Sequence, residues 1–165
     1  MKAEELTARD IMTKKVITVS KDATIGELSR LLLKNKISGV PVVDNEGRLL
    51  GMATDADIIT EESASNFPYY FDPLVIGYGF IENIEKYQRD MKEYLNIKVE
   101  EIMTRRIKFI KKDSSVSEIA RLMVRNKINR IPVVDENNKL IGIVTRADIL
   151  KSMVDEADKE SSNKQ

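Results

Sequence analysis

The 165-residue chain contains most of one unit twice. Residues 10–59 and 101–150 align without a gap at an offset of 91, with about 21 of 50 positions identical. "DIMTKKVITV" is answered by "EIMTRRIKFI", and "LLLKNKISGVPVVDNEGRLLGMATDADII" by "LMVRNKINRIPVVDENNKLIGIVTRADIL". A repeat of about 50 residues buries too little apolar surface to be secure alone, so two copies imply one paired structure. The expected arrangement packs the strands of one copy on those of the other about a pseudo-twofold axis.

Each copy reads as β-α-β-β-α, which makes the fold class α+β (α/β). Residues 16–19 and 107–110 are short β-rich runs. The next element is a helix opened by Thr24-x-x-Glu27 or Ser115-x-x-Glu118, both capping boxes, with Val116, Ile119, Ala120 and Met123 spaced as one buried face. Residues 40–43 and 131–134 are aliphatic strands, and Pro41 and Pro132 are expected near the strand start, where a missing N–H is tolerated. The turn clusters "DNEG" and "DENN" send the following run back antiparallel, and Gly51 and Gly142 mark places in it with no room for a side chain. The last helix begins at Thr54 or Thr145. In the second copy it carries two apolar stripes, one of Ala147, Leu150 and Val154 and one of Ile149 and Met153, which predicts burial within the chain and against another copy in a homodimer.

Composition narrows the function. Twenty-seven basic and 27 acidic residues cancel, so nothing points to nucleic acid. With no Cys and no His, thiol nucleophiles, the usual zinc sites and imidazole proton transfer are excluded and no metal site is expected; carboxylates and lysines could still do chemistry, so composition disfavours an enzyme without excluding one. The polar N-terminus lacks an apolar signal core and no apolar run approaches the roughly 18 residues of a membrane span, which predicts a cytoplasmic protein away from membranes.

Thr54-x-x-Asp57 and Thr145-x-x-Asp148 admit two readings. Each is a capping box for the last helix, or a hydroxyl and a carboxylate presented to a ligand. Asp has a shorter reach than the Glu used at the earlier helices, which favours the ligand. An ionised carboxylate only accepts, so it suits a vicinal diol and repels a phosphate. A phosphate would need other partners, and the candidates are the free N–H groups of a helix start and the cations Lys14, Lys15, Arg105, Arg106, Arg130 and Arg146. If each cleft is served by its own repeat, the second should hold a phosphorylated ligand better. It has Arg130 and Arg146 where the first has Gly39 and Asp55.

The "IMT" opening, the aliphatic-Pro-Val-Val-Asp strand and Gly-x-x-Thr-x-x-Asp resemble the cystathionine β-synthase (CBS) domain, and the tandem pair resembles a Bateman module. The resemblance implies a non-catalytic regulatory module whose clefts hold an adenosine-containing small molecule. The ligand would be of the AMP, ADP or ATP class, with S-adenosylmethionine or NAD as alternatives, and no cofactor would be required. By position, Asp57 and Asp148 would meet ribose hydroxyls beside Thr54 and Thr145. The backbone at Gly39, Val40 and Pro41 and at Arg130, Ile131 and Pro132 would flank the base, and Thr13 and Thr104 would line the same clefts.

The divisions are therefore 8–59 and 99–154 for the two repeats, 60–98 for an insert and 155–165 for a polar tail expected to fray. Eight of the nine aromatic residues lie in the insert. Its "NFPYYFDPLVIGYG" reads as irregular structure, and Ile84, Tyr87, Met91 and Tyr94 share one face of an amphipathic helix. The insert could be extra core, a partner surface or a cover for a cleft. Occupancy of the clefts would be signalled to a regulated protein in a separate chain. The alternative is a scaffold of the same fold that binds no nucleotide and works through the insert.

Overall fold

Each copy of the repeat builds one three-stranded sheet, with the middle strand supplied by the aliphatic-Pro-Val-Val run. The computed structural model describes residues 6–59 and 84–162. The aromatic stretch "NFPYYFDPLVIGYG", and the side chains of Ile84 and Tyr87, lie outside the described residues. The element order is α1 (Ala8–Ile11), β1 (Val19–Ser20), α2 (Ile25–Asn35), β2 (Gly39–Val43), β3 (Leu49–Thr54), α3 (Asp55–Ile58), α4 (Ile84–Leu95), α5 (Val99–Ile102), β4 (Ile110–Lys111), α6 (Val116–Asn126), β5 (Arg130–Val134), β6 (Leu140–Thr145) and α7 (Arg146–Ser162). Among the described residues no helix is long and apolar enough to cross a membrane.

The strands expected at 16–19 and 107–110 are shorter and later. β1 and β4 pair, in parallel, with only the last two residues of β2 and β5: Val19 with Val42 and Ile110 with Val133. This explains a second departure from expectation. Pro41 and Pro132 are the third residues of central strands, not their first. They are tolerated because β1 and β4 do not reach them, so the strand neighbour lies on one side only. β5 and β6 form the expected antiparallel pair, with a register shift between Val133 and Val134. Gly47 and Asn138 occupy the same place in the two turns, both with positive φ (78° and 61°), a conformation Gly adopts freely and Asn tolerates.

The chain divides into two compact units that cut across the repeats. Unit 1 comprises Met1–Ile17, Asn45–Leu49 and Ile107–Gln165, and so joins the lead-in of the first copy to the sheet of the second. Within it, Ala8 N–H donates to Ser114 C=O at 2.8 Å and Val116 N–H to Leu6 C=O at 2.9 Å. Its core is Ala8, Ile110, Ile119, Met123, Ile131, Val133, Val144 and Ile149. Unit 2 comprises Thr18–Asp44 and Leu50–Arg106 and repeats the exchange in reverse. There, Val99 N–H donates to Ala23 C=O at 2.8 Å and Ile25 N–H to Ile97 C=O at 2.9 Å. Its core is Val19, Leu28, Leu32, Val40, Val42, Ala53, Val99 and Met103.

The starts of α2 and α6 follow the capping logic to different extents. Glu27 accepts from the Thr24 N–H at 2.7 Å and Thr24 Oγ1 accepts from the Glu27 N–H at 3.2 Å. Ser115 accepts from the Glu118 N–H at 3.3 Å but shows no return bond, and Ser115 and Ser117 hydroxyls meet at 3.2 Å instead. α7 runs on to Ser162 through the stretch expected to fray, because no Gly or Pro interrupts it. Its inward face is Ile149 with Ser152, whose hydroxyl donates to the Ile149 carbonyl at 2.8 Å. Met153, expected to be buried beside Ile149, is 60% exposed with Leu150 and Val154. In unit 2 the insert's helix α4 places Tyr94 in the interior, with its hydroxyl donating to the Ile58 carbonyl.

Candidate functional site

The Thr-x-x-Asp motifs sit where each returning strand becomes a helix, and both form the capping box. In unit 2 the Asp57 carboxylate accepts from Thr54 N–H at 2.8 Å and Thr54 Oγ1 at 2.6 Å through Oδ2, and Thr54 Oγ1 accepts from Asp57 N–H at 3.2 Å. In unit 1 the Asp148 Oδ2 accepts from Thr145 N–H and Oγ1, both at 2.7 Å, with the return bond at 3.3 Å. Asp therefore reaches as well as Glu does, and the shorter side chain is no argument against capping. Asp10 does the same at α1, accepting from the Thr7 N–H at 2.8 Å.

The cap occupies one carboxylate oxygen and leaves the other. In unit 2, Oδ1 of Asp57 accepts from the Thr104 hydroxyl at 3.2 Å. Thr104 is brought there by the lead-in exchange: its N–H and C=O bond Met52 C=O and N–H at 2.9 and 3.0 Å. Gly51 makes this approach possible, since a Cβ there would lie 2.6 Å from the Thr104 carbonyl oxygen. In unit 1, Thr13 bridges Ile143 in the same way, at 3.0 and 3.1 Å, and a Cβ on Gly142 would meet the Met12 side chain.

Strand register defines the face these residues share. In unit 1, Arg130 lies opposite Thr145, Pro132 opposite Ile143, and Ile143 opposite Thr13. Side chains opposite one another across a ladder, and two apart along a strand, point the same way. Thr13, Arg130, Pro132 and Thr145 therefore share one face. Ile131 belongs to the opposite face and its side chain is fully buried in the core, as is that of Val40 in unit 2. At these two positions only backbone is left for a ligand. The same bonds tie each helix start to the strand before it: Asp55 N–H to Ser38 C=O at 3.0 Å and Arg146 N–H to Asn129 C=O at 3.1 Å.

Thr13, Thr104, Asp55, Arg105, Arg106 and Arg146 are exposed, and the four Thr and Asp residues of the two motifs are half-buried. Arg105 donates to the Glu100 carbonyl at 2.9 Å. Sequence reasoning placed Thr13 and Thr104 at the clefts but did not reveal which sheet each joins; Gly51 and Gly142 were the available signal, as positions where another backbone or side chain comes close. It also missed a groove of about 400 Å³ between α2 and α4, lined by Thr24, Gly26, Arg30, Met91, Lys92 and Leu95, which contains none of these residues. Among the described residues no group of His, Cys, Asp and Glu is placed to hold a metal ion.

Fold and sites define a duplicated α+β module that presents two equivalent hydroxyl–carboxylate sites, one in each unit. The sequence model of the CBS domain matches residues 8–64 and 99–155, and the chain belongs to that family as a tandem pair. An uncharacterized protein of Methanocaldococcus jannaschii is 37% identical over 157 residues, covering 92% of this chain and 93% of that one. The CBS domain of a membrane protein from Sphaerobacter thermophilus superposes with a TM-score of 0.68 at 29% identity, covering 89% of this chain and 87% of that one. The CBS domain pair of protein MJ0100, in complex with 5-methylthioadenosine and S-adenosyl-L-methionine, superposes at 0.65 with 26% identity, covering 92% and 98%.

Proposed function

We propose that this chain is a regulatory module that binds an adenosine-containing nucleotide at its Thr-x-x-Asp sites and passes occupancy to a separate protein. The observation that carries the reading is the geometry of Asp148. Its Oδ2 is held by the cap, which fixes the side chain, while no hydrogen bond to Oδ1 is made among the described residues. A rigid acceptor of this kind is suited to a ribose diol, which brings two O–H donors. Beside it, β4 pairs only Val133 and Val134 and does not extend to Ile131 and Pro132, so no strand competes with a base along that edge. The complex formed by the MJ0100 pair supports adenosine compounds as the class, with a sulfonium or thioether derivative as the alternative to a nucleotide.

Signalling has a physical route in unit 2. Asp57 lies in α3, and the carbonyl of its neighbour Ile58 takes the hydroxyl of Tyr94 in the insert helix α4. A ligand that pulls on Asp57 therefore acts one residue from a bond that anchors the insert. The module acts as a homodimer through the exposed face of α7, and it is a cytoplasmic protein.

The test is thermal stability with and without AMP, ADP, ATP, NAD and S-adenosylmethionine, for the parent, Asp57→Ala and Asp148→Ala. A ligand at about 100 times its dissociation constant adds about 2.7 kcal/mol to the folded state. The parent should show this gain with at least one compound, and the double substitution should abolish it. A parent that responds to none of them leaves the motifs as helix caps and removes the proposal.

A further inference from the structure

Resting on the adenosine reading above, we infer that the two sites sort their ligands by charge. The unit 1 site takes an adenosine compound with a 5′-phosphate, and the unit 2 site takes one whose 5′ group is uncharged. The two sites control for one another, because both have the Gly-x-x-Thr-x-x-Asp turn, the same cap and the same lead-in threonine bridged to the returning strand. They differ in the charged side chains around that frame.

In unit 1, Arg130 stands opposite Thr145 in the ladder, and exposed Arg146 follows Thr145 directly. Exposed Lys14 and Lys15 follow Thr13, which the lead-in exchange brings to this site and not to the site of its own repeat. The segments that meet at this site thus carry four cations and one motif carboxylate, Asp148. In unit 2 the place of Arg130 is taken by Gly39 and that of Arg146 by Asp55. The cations there are Arg105 and Arg106, and the first donates to the Glu100 carbonyl of the preceding helix α5. The corresponding segments of unit 2 carry two cations and two carboxylates, Asp55 and Asp57.

A phosphate is attracted to the first arrangement and gains little from the second, while a neutral 5′ group is indifferent to both. Lys14, Lys15, Arg146, Arg105, Arg106 and Asp55 are exposed and Arg130 is half-buried, so the preference is largely screened and should weaken with added salt. The second oxygen of the key carboxylate follows the same division. Asp148 keeps Oδ1 for the sugar, whereas a ligand in unit 2 must share Asp57 Oδ1 with Thr104.

The experiment is equilibrium dialysis of the full chain against AMP and adenosine, using Asp57→Ala to isolate the unit 1 site and Asp148→Ala to isolate the unit 2 site. Folding of each variant is checked by its melting curve. The unit 1 site should prefer AMP to adenosine by about tenfold or more, a preference lost in high salt, and the unit 2 site should show none. Arg146→Asp added to the first variant should erase its preference, and Asp55→Arg added to the second should create one. Equal AMP-to-adenosine ratios at both sites overturn the inference while leaving the adenosine reading standing. Failure of the parent to bind either compound overturns the inference, and failure with ADP, ATP, NAD and S-adenosylmethionine as well overturns both.

Discussion

The Thr104 hydroxyl donates to Oδ1 of Asp57 at 3.2 Å, joining residues 47 positions apart in the chain, whereas no hydrogen bond joins Thr13 to Asp148 among the described residues. The contrast yields a measurable coupling. A hydrogen bond to a carboxylate is worth about 1.5–3 kcal/mol at most, and exposure lowers that. A double-mutant cycle of Thr104→Val and Asp57→Ala, read by urea denaturation, should give an interaction energy of about 0.5–1.5 kcal/mol. The Thr13→Val and Asp148→Ala cycle should give a value near zero. Equal coupling in the two cycles would mean that the sites differ less than their geometry indicates.

Gly51 and Gly142 differ in what they make room for. A Cβ at Gly51 meets the Thr104 carbonyl at 2.6 Å, which is backbone and cannot swing aside; at Gly142 it collides with the Met12 Sδ, closer still but near the far end of a flexible side chain that can move. Gly51→Ala should therefore cost about 2–3 kcal/mol and detach Thr104 from β3, a change visible as faster amide exchange at Met52 and Thr104. Gly142→Ala should cost less, and truncating Met12 in the same protein should recover part of the loss.

Most of the fold was legible because the chain states it twice. The order β-α-β-β-α, the buried face of α6 and the turn at Gly47 and Asn138 are each local patterns, set by periodicity and turn chemistry. The lead-in exchange was not legible. It depends on which sheet a four-residue helix reaches, a long-range choice with no periodic trace; only the "no room" glycines hinted at it. The extent of β1 and β4 was misread because β-rich composition at 16–19 says nothing of how far the partner strand extends. Of the site, the Thr-x-x-Asp residues were readable as caps and as acceptors. That one oxygen serves the cap and the other does not could be seen only in three dimensions.

Two cap carboxylates make the stability of this protein acid-sensitive. Hydrogen bonds from the Thr24 backbone N–H and then its hydroxyl hold the Glu27 carboxyl below its ordinary value of 4.5, and bonds from the Thr7 hydroxyl and then its N–H lower that of Asp10. A carboxyl with a depressed folded pKa contributes stability that is complete above its unfolded pKa and is lost as pH falls through the folded one. Stability measured by urea midpoint should hold from neutral pH down to the ordinary carboxylate range and fall below it. Glu27→Gln should lower the neutral-pH plateau slightly and flatten the acid limb. An acid limb unchanged by Glu27→Gln and by Asp10→Asn would place the sensitive groups elsewhere.

The outer face of α7 should close a homodimer. Leu150, Met153 and Val154 are 63%, 60% and 59% exposed, and with Ala147 they form one apolar stripe on a helix whose inner face, Ile149 and Ser152, is already buried. Along that helix Lys151 precedes Asp155 and Glu156, so two copies packed antiparallel would set basic residues of one against acidic residues of the other. Burying each such aliphatic side chain is worth about 1.5–3 kcal/mol. Leu150→Lys with Val154→Lys should thus weaken association by well over about 100-fold. Sedimentation equilibrium should show a dimer for the parent at tens of micromolar and a monomer for the variant, with a smaller change in the monomer's own unfolding because both side chains are mostly exposed within the chain. A parent that sediments as a monomer at that concentration would leave the stripe without this role.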